Sequence, residues 1–241
     1  MRNMQIIFRR EFASYFDSPI AYIFLIVFLL LNAGWYMNSF FLSGSAEMRE
    51  FFGNLPLFNL FFLPAVSMRL WAEDRRIGTL ELLMTLPMKS SEIVVGKYLA
   101  SVAFYGIALA GTFTIPFILT LIGDPDLGAI AAGYFGALLL GAFYLAIGIF
   151  VSGLFKDQIA AFVVAMVVCF FFFSVGIEFT AGLVDGWISG LGAFLQSFIG
   201  LTSHYAGIQR GVIDFHNVLY FVSMSALFLV LNTLSLEGRK F

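Results

Sequence analysis

A cluster of charged residues between Arg69 and Lys97 holds most of the chain's capacity for polar recognition. Four consecutive charges run from Glu73 to Arg76, and charge-free stretches flank the cluster. Four such charges at the centre of a bilayer would cost roughly 10–14 kcal/mol, so we expect the segment, including Glu73 and Asp74, to face water. The members of this charged segment are Arg69, Glu73, Asp74, Arg75, Arg76, Glu81, Lys89, Glu92 and Lys97.

The charged segment is predicted to form two short helices. The first covers about 71–77, and Gly78 breaks it. Thr79 can cap the second helix and places Glu81 in its first turn, where a negative charge is favoured. A short amphipathic helix of mixed charge suits docking into a groove on a soluble partner. A solvated loop of alternating charge would show the same pattern, so the residues leave both interpretations open.

The motifs of common enzymes are missing from the sequence. Gly96-Lys97-Tyr98 lacks the upstream glycine and the hydroxyl residue of a P-loop. The single cysteine, Cys169, and the two histidines, His204 and His216, are too few for a metal site. There is also no Gly-x-Ser-Gly and no His-Glu-x-x-His. We therefore expect no catalytic residue, no cofactor and no metal site in this chain.

Composition indicates an integral membrane protein. The chain has 241 residues, of which 61% are hydrophobic and 12% charged, and its mean hydropathy is +0.95. Soluble domains carry about 25% charged residues. The net charge of -2 gives no basic surface for nucleic acid.

Charge-free intervals predict six membrane-spanning helices in a single domain, 1–241. A helix needs about 20 apolar residues to cross a bilayer. A seventh interval, between Asp185 and Arg210, is rich in glycine and polar residues, and it is interpreted as a re-entrant or interfacial helix pair. The predicted spans are 19–42, 51–69, 98–122, 130–154, 158–178 and 216–236.

The distribution of basic residues supports six spans with both termini on the inner side. Of the 13 lysines and arginines, only Arg49 and Arg210 fall on the outer side of such a topology. That asymmetry is what the positive-inside rule predicts. Seven full spans would move Arg239 and Lys240 to the outside.

Isolated polar residues outside the charged segment are further candidates. An amphipathic helix is predicted at about 3–16, with Arg10 on its polar side and Glu11 on its apolar side. Glu11 is either a frayed, snorkelling residue or a specific polar contact. Glu178 follows the fifth apolar run, where an ionisable residue is either functional or simply at the headgroup level. Gln196 and His204 are polar residues of the glycine-rich interval.

Several sequence blocks show that the chain resembles the permease subunits of ABC type-2 exporters. Within that family it looks closest to the gliding-motility-associated ABC permease group, and the likeness covers nearly the whole chain. The blocks that carry it are Arg10-Glu11-Phe12, Phe16-x-Ser18-Pro19, Pro64 to Arg69, Glu73-Asp74, Gly78-Thr79-Leu80-Glu81 and Glu92 to Lys97.

The resemblance implies an all-α six-span subunit with an N-terminal elbow helix at about 3–16. It also implies a cytoplasmic coupling helix at about 73–86 that seats in a cleft of a partner ATPase. The region at about 183–212 would match the family's extracellular gate, with Glu178, Gln196 and His204 as its polar candidates. The coupling role is thereby carried to Glu73, Asp74, Arg75, Gly78, Thr79 and Glu81.

The implied assembly contains two permease copies, identical or related, and two ATP-binding cassette subunits that hold the ATP and Mg. An auxiliary membrane protein with a periplasmic domain is a further expected partner, and the bacterial inner membrane is the expected location. Two other function classes stay open from the residues. One is a membrane anchor that recruits a cytoplasmic or periplasmic machine, and the other is an ion-driven secondary transporter.

Overall fold

The computed structural model describes residues 2–43, 47–85 and 88–238, without the side chains at positions 2, 43, 81, 82 and 84. These residues fold into helices, and no strand is found among them. In chain order the helices are α1 (Arg2–Asp17), α2 (Pro19–Ser43), α3 (Arg49–Ser67), α4 (Arg69–Arg76), α5 (Thr79–Thr85), α6 (Ser90–Gly111), α7 (Thr114–Ile122), α8 (Leu127–Ser152), α9 (Gln158–Val175), α10 (Glu178–Asp185), α11 (Leu191–Phe198), α12 (Leu201–Gln209) and α13 (Phe215–Glu237).

Six helical segments of the described chain are long and apolar enough to cross a membrane, as predicted. They are α2, α3 joined to α4, α6 joined to α7, α8, α9 and α13. The third begins at Ser90, earlier than predicted, because the charges of Glu92 and Lys97 are accommodated inside the helix. The fifth ends at Val175, so Glu178 begins α10 instead of closing a span.

Helix α8 forms the centre of the bundle. Its most apolar stretch is 72% buried, against 22% for the corresponding stretches of α2 and α9. It packs against α3, α6, α9, α12 and α13. Small residues permit this close packing: a Cβ atom at Gly141 would overlap the Tyr105 ring, and one at Gly148 would overlap the Ser67 hydroxyl.

Two prolines each remove one hydrogen bond of their helix, and in both cases a tyrosine hydroxyl donates to the carbonyl concerned. Proline has no N–H to donate to the carbonyl four residues earlier. Pro116 thereby leaves the carbonyl of Thr112, at the break between α6 and α7, without its usual helical donor. This carbonyl accepts instead from the N–H of Ile115 at 3.0 Å and from the Tyr134 hydroxyl at 3.2 Å. Pro56 likewise frees the carbonyl of Phe52, which accepts from Tyr205 of α12 at 3.1 Å. The second of these bonds ties α12 to α3.

Helices α10 to α12 stay at one end of the bundle. Thr202 donates to the carbonyl of Phe173 near the end of α9, at 3.2 Å. Gln209 donates to the carbonyl of Arg49 at the start of α3, at 3.0 Å. The segment therefore leaves α9 and returns to α13 without crossing the bundle. The interval between Asp185 and Arg210 holds two helices, α11 and α12, as the predicted helix pair requires, and Gly200 separates them.

The charged residues separate into two groups at opposite ends of the bundle. Arg76 lies beside Lys156 of the α8–α9 connection, at the end that also holds the start of α6. Arg49 and Arg210 line a common cavity at the other end, with the start of α8. This separation of the basic residues between the two ends is what a chain with six spans, and both termini on one side, would show.

Candidate functional site

The ammonium of Lys97 is the centre of a buried charge cluster. It donates to Asp74 Oδ2 at 2.7 Å, to the backbone carbonyl of Leu70 at 2.7 Å and to Glu11 Oε1 at 2.9 Å. It also lies 4.9 Å from the centre of the Trp71 ring. Lys97 is only 1% exposed, and an ammonium has three protons to donate. All three are therefore used within the protein.

The cluster joins three helices that are distant in sequence. Glu11 belongs to α1, Asp74 to α4 and Lys97 to α6. Arg10 of α1 lies 3.7 Å from both Glu11 and Asp74, and its guanidinium is half exposed. A buried ion pair is not strongly stabilising in itself, but removing one partner leaves the other charge uncompensated, which costs about 3–5 kcal/mol. The cluster thus fixes the relative positions of α1, α4 and α6.

Close packing holds α1 along α6 beneath the cluster. A Cβ atom at Gly96 would lie 2.9 Å from Ile7, so only glycine permits this approach. The rings of Tyr15 and Phe104 stack with centroids 4.6 Å apart. The predicted amphipathic helix is therefore packed on the bundle, and Glu11 makes the specific polar contact that was one of its two interpretations.

The serine at the end of α8 caps α4. The Ser152 hydroxyl accepts from the backbone N–H groups of Trp71 and Ala72 at 3.0 and 3.2 Å, and it donates to the carbonyl of Met68 at 2.7 Å. Free N–H groups in the first turn of a helix require such partners. Ser152 therefore attaches α4 to the central helix of the bundle.

Asp74 is buried, so the expectation that it faces water is wrong. It is 6% exposed, because its carboxylate turns inward to Lys97. Its second oxygen accepts from the Thr79 hydroxyl at 2.9 Å. The Thr79 hydroxyl, predicted to cap α5, donates to Asp74 and so joins α5 back to α4; Thr79 is itself the first residue of α5.

The exposed tip of this region lies around the break between α4 and α5. Glu73, Arg76 and Ile77 are exposed, and Ile77 is 60% exposed although it is apolar. Gly78 breaks the helix, as predicted, with a φ of 77° that favours glycine. We refer to Glu73, Arg76, Ile77 and Gly78 as the α4–α5 tip.

The remaining residues predicted for this site surround the tip. Arg75 is half buried. Glu81 lies on α5, and its side chain is outside the described part of the structure. A cavity of about 150 Å³ lies between α1 and α4, with Glu73 and Ile77 at its wall. The structure thus brings together Arg10, Glu11, Asp74 and Thr79, and leaves Glu73 and Gly78 at the surface.

The three polar candidates at the opposite end do not form one site. Glu178 is exposed at the start of α10, where the helix N-terminus favours its charge. Gln196 donates to the carbonyl of Gly176 at 3.3 Å. In the described chain no hydrogen bond or ion pair joins either residue to His204.

His204 is buried among α12 and α13. Its Nδ1 lies 3.0 Å from Asn217 Oδ1, and its ring stacks on Tyr220 with centroids 4.0 Å apart. Burial lowers the pKa of His204; the hydrogen bond with Asn217 partly opposes this shift, and His216, 5.3 Å away, adds to it. Among the described residues no group of three or more metal-ligating side chains is found.

Sequence reasoning missed Lys97 and Ser152 as members of this candidate site. Lys97 was assigned to the water-facing segment because charges surround it in the sequence. The signal that could have identified it is its place on an apolar helix, where a lysine must find partners within the protein. Ser152 gives no signal in the sequence, because its role depends on how α8 meets α4.

A comparison with known protein families identifies the family of this chain. The family described as "ABC-2 family transporter protein" matches residues 5–237, nearly the whole chain. A comparison with curated proteins found no match. With six candidate spans and a family match of this extent, the chain belongs to the ABC-2 family of transporter proteins as a membrane-spanning permease component.

Proposed function

We propose that this chain is the permease subunit of an ATP-driven exporter, and that the α4–α5 tip docks on a partner ATP-binding cassette subunit. The single observation that carries the proposal is the anchoring of the tip. Lys97 joins α4 to α1 and α6 through bonds of 2.7–2.9 Å, while Glu73 and Ile77 stay exposed beside it. The tip is therefore both accessible to a partner and firmly connected to the bundle.

Such an anchored tip suits the transmission of a conformational change. Helix α4 follows α3 with only Met68 between them, and Ser152 attaches it to α8. Movement of the tip by a partner would therefore displace α3, α1 and α6 together, because their packing is stiff. A partner whose two nucleotide states bind the tip differently would shift the equilibrium between two arrangements of the bundle. ATP and Mg would be bound by that partner.

The proposed setting is a bacterial inner membrane with the tip on the cytoplasmic side. Basic residues concentrated at the tip end support this orientation. We propose that two permease copies, identical or related, assemble with two ATPase subunits. The gliding-type subgroup rests on sequence resemblance alone.

The experiment is to change the tip and measure its binding to the partner ATPase. Glu73→Lys reverses a charge at the contact and Ile77→Asp puts a charge in place of an apolar side chain. Like charges brought together at an interface cost several kcal/mol. We expect normal abundance of the permease, since both side chains are exposed, together with loss of co-purified ATPase. Ile213→Asp is the matched control, because Ile213 is similarly exposed at the opposite end.

Retention of the full complex by the tip variant would contradict the docking proposal. An anchor protein would keep its assembly role with an ATPase-dead partner. A secondary transporter would move substrate on an ion gradient with no ATPase present. Either result would replace the exporter with that alternative.

A further inference from the structure

A cavity of about 160 Å³ opens at the end of the bundle opposite the Lys97 cluster. It lies where the starts of α3 and α8 meet the end of α12. Arg49, Arg210 and Gln209 contribute polar groups, and Phe52 and Ile130 form an apolar wall. We refer to it as the outer pocket.

The two arginines of the outer pocket are available for a ligand. Arg49 and Arg210 are far apart in sequence, and they are the two basic residues that the six-span topology assigns to this end of the chain. The fold brings both to one cavity. Among the described residues, no ion pair includes Arg49 or Arg210. Both arginines are exposed.

The backbone around the pocket adds to its positive character. Helix α3 begins at Arg49, and the preceding residue, Met48, provides no side-chain cap. Free N–H groups in the first turn of a helix favour an anion, although Glu50 in the same turn offsets part of this field. The amide of Gln209 donates to the carbonyl of Arg49 at 3.0 Å, and this bond holds the end of α12 beside the start of α3.

Two carboxylates also line the pocket. One of them caps a helix, and the other is exposed. Asp126 Oδ1 accepts from the backbone N–H groups of Gly128 and Ala129 at 2.9 and 3.1 Å. Its charge is thus used in capping α8. Glu47 is exposed and opposes the binding of an anion. Removal of the Glu47 charge should therefore strengthen anion binding.

We propose that the outer pocket binds an oxyanion group of the phosphate class. Guanidinium groups bind phosphate with paired, charge-assisted hydrogen bonds, and the apolar wall of Phe52 and Ile130 suits a ligand that carries hydrocarbon next to the anion. A lipid headgroup and a soluble phosphate ester share this chemistry. This inference does not depend on the partner ATPase, so it can fail while the proposed function holds.

The first experiment measures binding of inorganic phosphate to the full-length protein in phosphatidylcholine nanodiscs, by ³¹P line broadening. We expect Arg49→Gln and Arg210→Gln each to weaken binding about tenfold, as loss of a charged hydrogen bond predicts. Glu47→Gln should strengthen it. Arg9→Gln is the matched control, since Arg9 is exposed on α1 at the other end and should leave binding unchanged.

The second experiment distinguishes the two sources of the anion. Retention of phosphatidylglycerol is compared with that of phosphatidylcholine by native mass spectrometry, for the same variants. A lipid headgroup is identified if phosphatidylglycerol is retained selectively and this retention is lost in Arg49→Gln and Arg210→Gln. A soluble ester is identified if inorganic phosphate binds but phosphatidylglycerol is not retained selectively. The proposal is overturned if neither anion binds, or if Arg9→Gln weakens binding as much as the pocket variants.

Discussion

At the scale of single residues, Lys97 combines a full positive charge with almost complete burial. Two carboxylates and a carbonyl surround its ammonium within 2.9 Å. The low dielectric of such a site strengthens each interaction, and the same low dielectric makes an unpaired charge costly. The cluster is consequently sensitive to the loss of one partner and much less sensitive to the replacement of a whole pair.

We predict that Lys97→Met destabilises the folded protein by about 3–5 kcal/mol, because Asp74 and Glu11 lose their cation. The measurement is the free energy of unfolding of the reconstituted protein. Lys156→Met is the control, since Lys156 is exposed. The double variant Lys97→Met, Asp74→Leu should be more stable than Lys97→Met alone, because no carboxylate is then left at position 74. Additive effects of the two changes would show that the pair is not coupled.

Among the helices, α4 and α5 form a pair whose break is defined by Gly78 and Thr79. The Thr79 hydroxyl bonds to both the side chain and the carbonyl of Asp74, so the two helices are joined across the break. The left-handed backbone of Gly78 sets the direction in which α5 leaves α4. Nothing lies within 4 Å of a Cβ atom built there, so a substitution acts through the backbone and not through a clash.

We predict that Gly78→Leu strains the break by about 1–2 kcal/mol, because a leucine tolerates this backbone region poorly. Hydrogen exchange of the α5 amides should therefore be faster in Gly78→Leu. The matched control is Gly78→Asn, since asparagine adopts positive φ more readily, and it should exchange more slowly than the leucine variant. ATP hydrolysis by the reconstituted complex should be less tightly coupled in Gly78→Leu while some partner binding persists. Equal exchange in the two variants would mean that the left-handed turn does not control α5.

At the scale of the whole molecule, the bundle has two chemically different ends joined by α3. The N-terminal part of α3 is held by α12 through Tyr205 and Gln209. The C-terminal end of α3 continues towards α4 and the Lys97 cluster. This continuity gives a physical route along which the two ends can influence each other. The orientation of the bundle across the membrane is predicted from the distribution of lysines and arginines and not from the fold.

We predict that the tip is cytoplasmic and that the α12–α13 connection faces the periplasm. Single cysteines replace Arg76 and Asp214, both exposed, in a Cys169→Ala background. A membrane-impermeant maleimide added to intact cells should label position 214, and position 76 only after permeabilisation. Labelling of position 76 in intact cells would reverse the topology.

Composition and spacing along the chain are enough to predict the class of the protein, its six apolar helices and the break at Gly78. These follow from local properties: the length of charge-free intervals, the deficit of charged residues and the backbone freedom of glycine. The sequence also identified Glu11 and Asp74 as residues of interest, although it placed Asp74 in water. Proximity in sequence to Glu73 and Arg75 gave that wrong expectation.

The pairing of the charges, by contrast, depends on how the helices pack in three dimensions. Lys97 is separated by 86 residues from Glu11 and by 23 from Asp74, and no local pattern encodes such a meeting. The same holds for Ser152 at the start of α4 and for Arg49 and Arg210 at the outer pocket. Their contacts depend on how α8, α6 and α12 pack, because helix packing is set by the fit of whole side-chain surfaces rather than by neighbours in the chain.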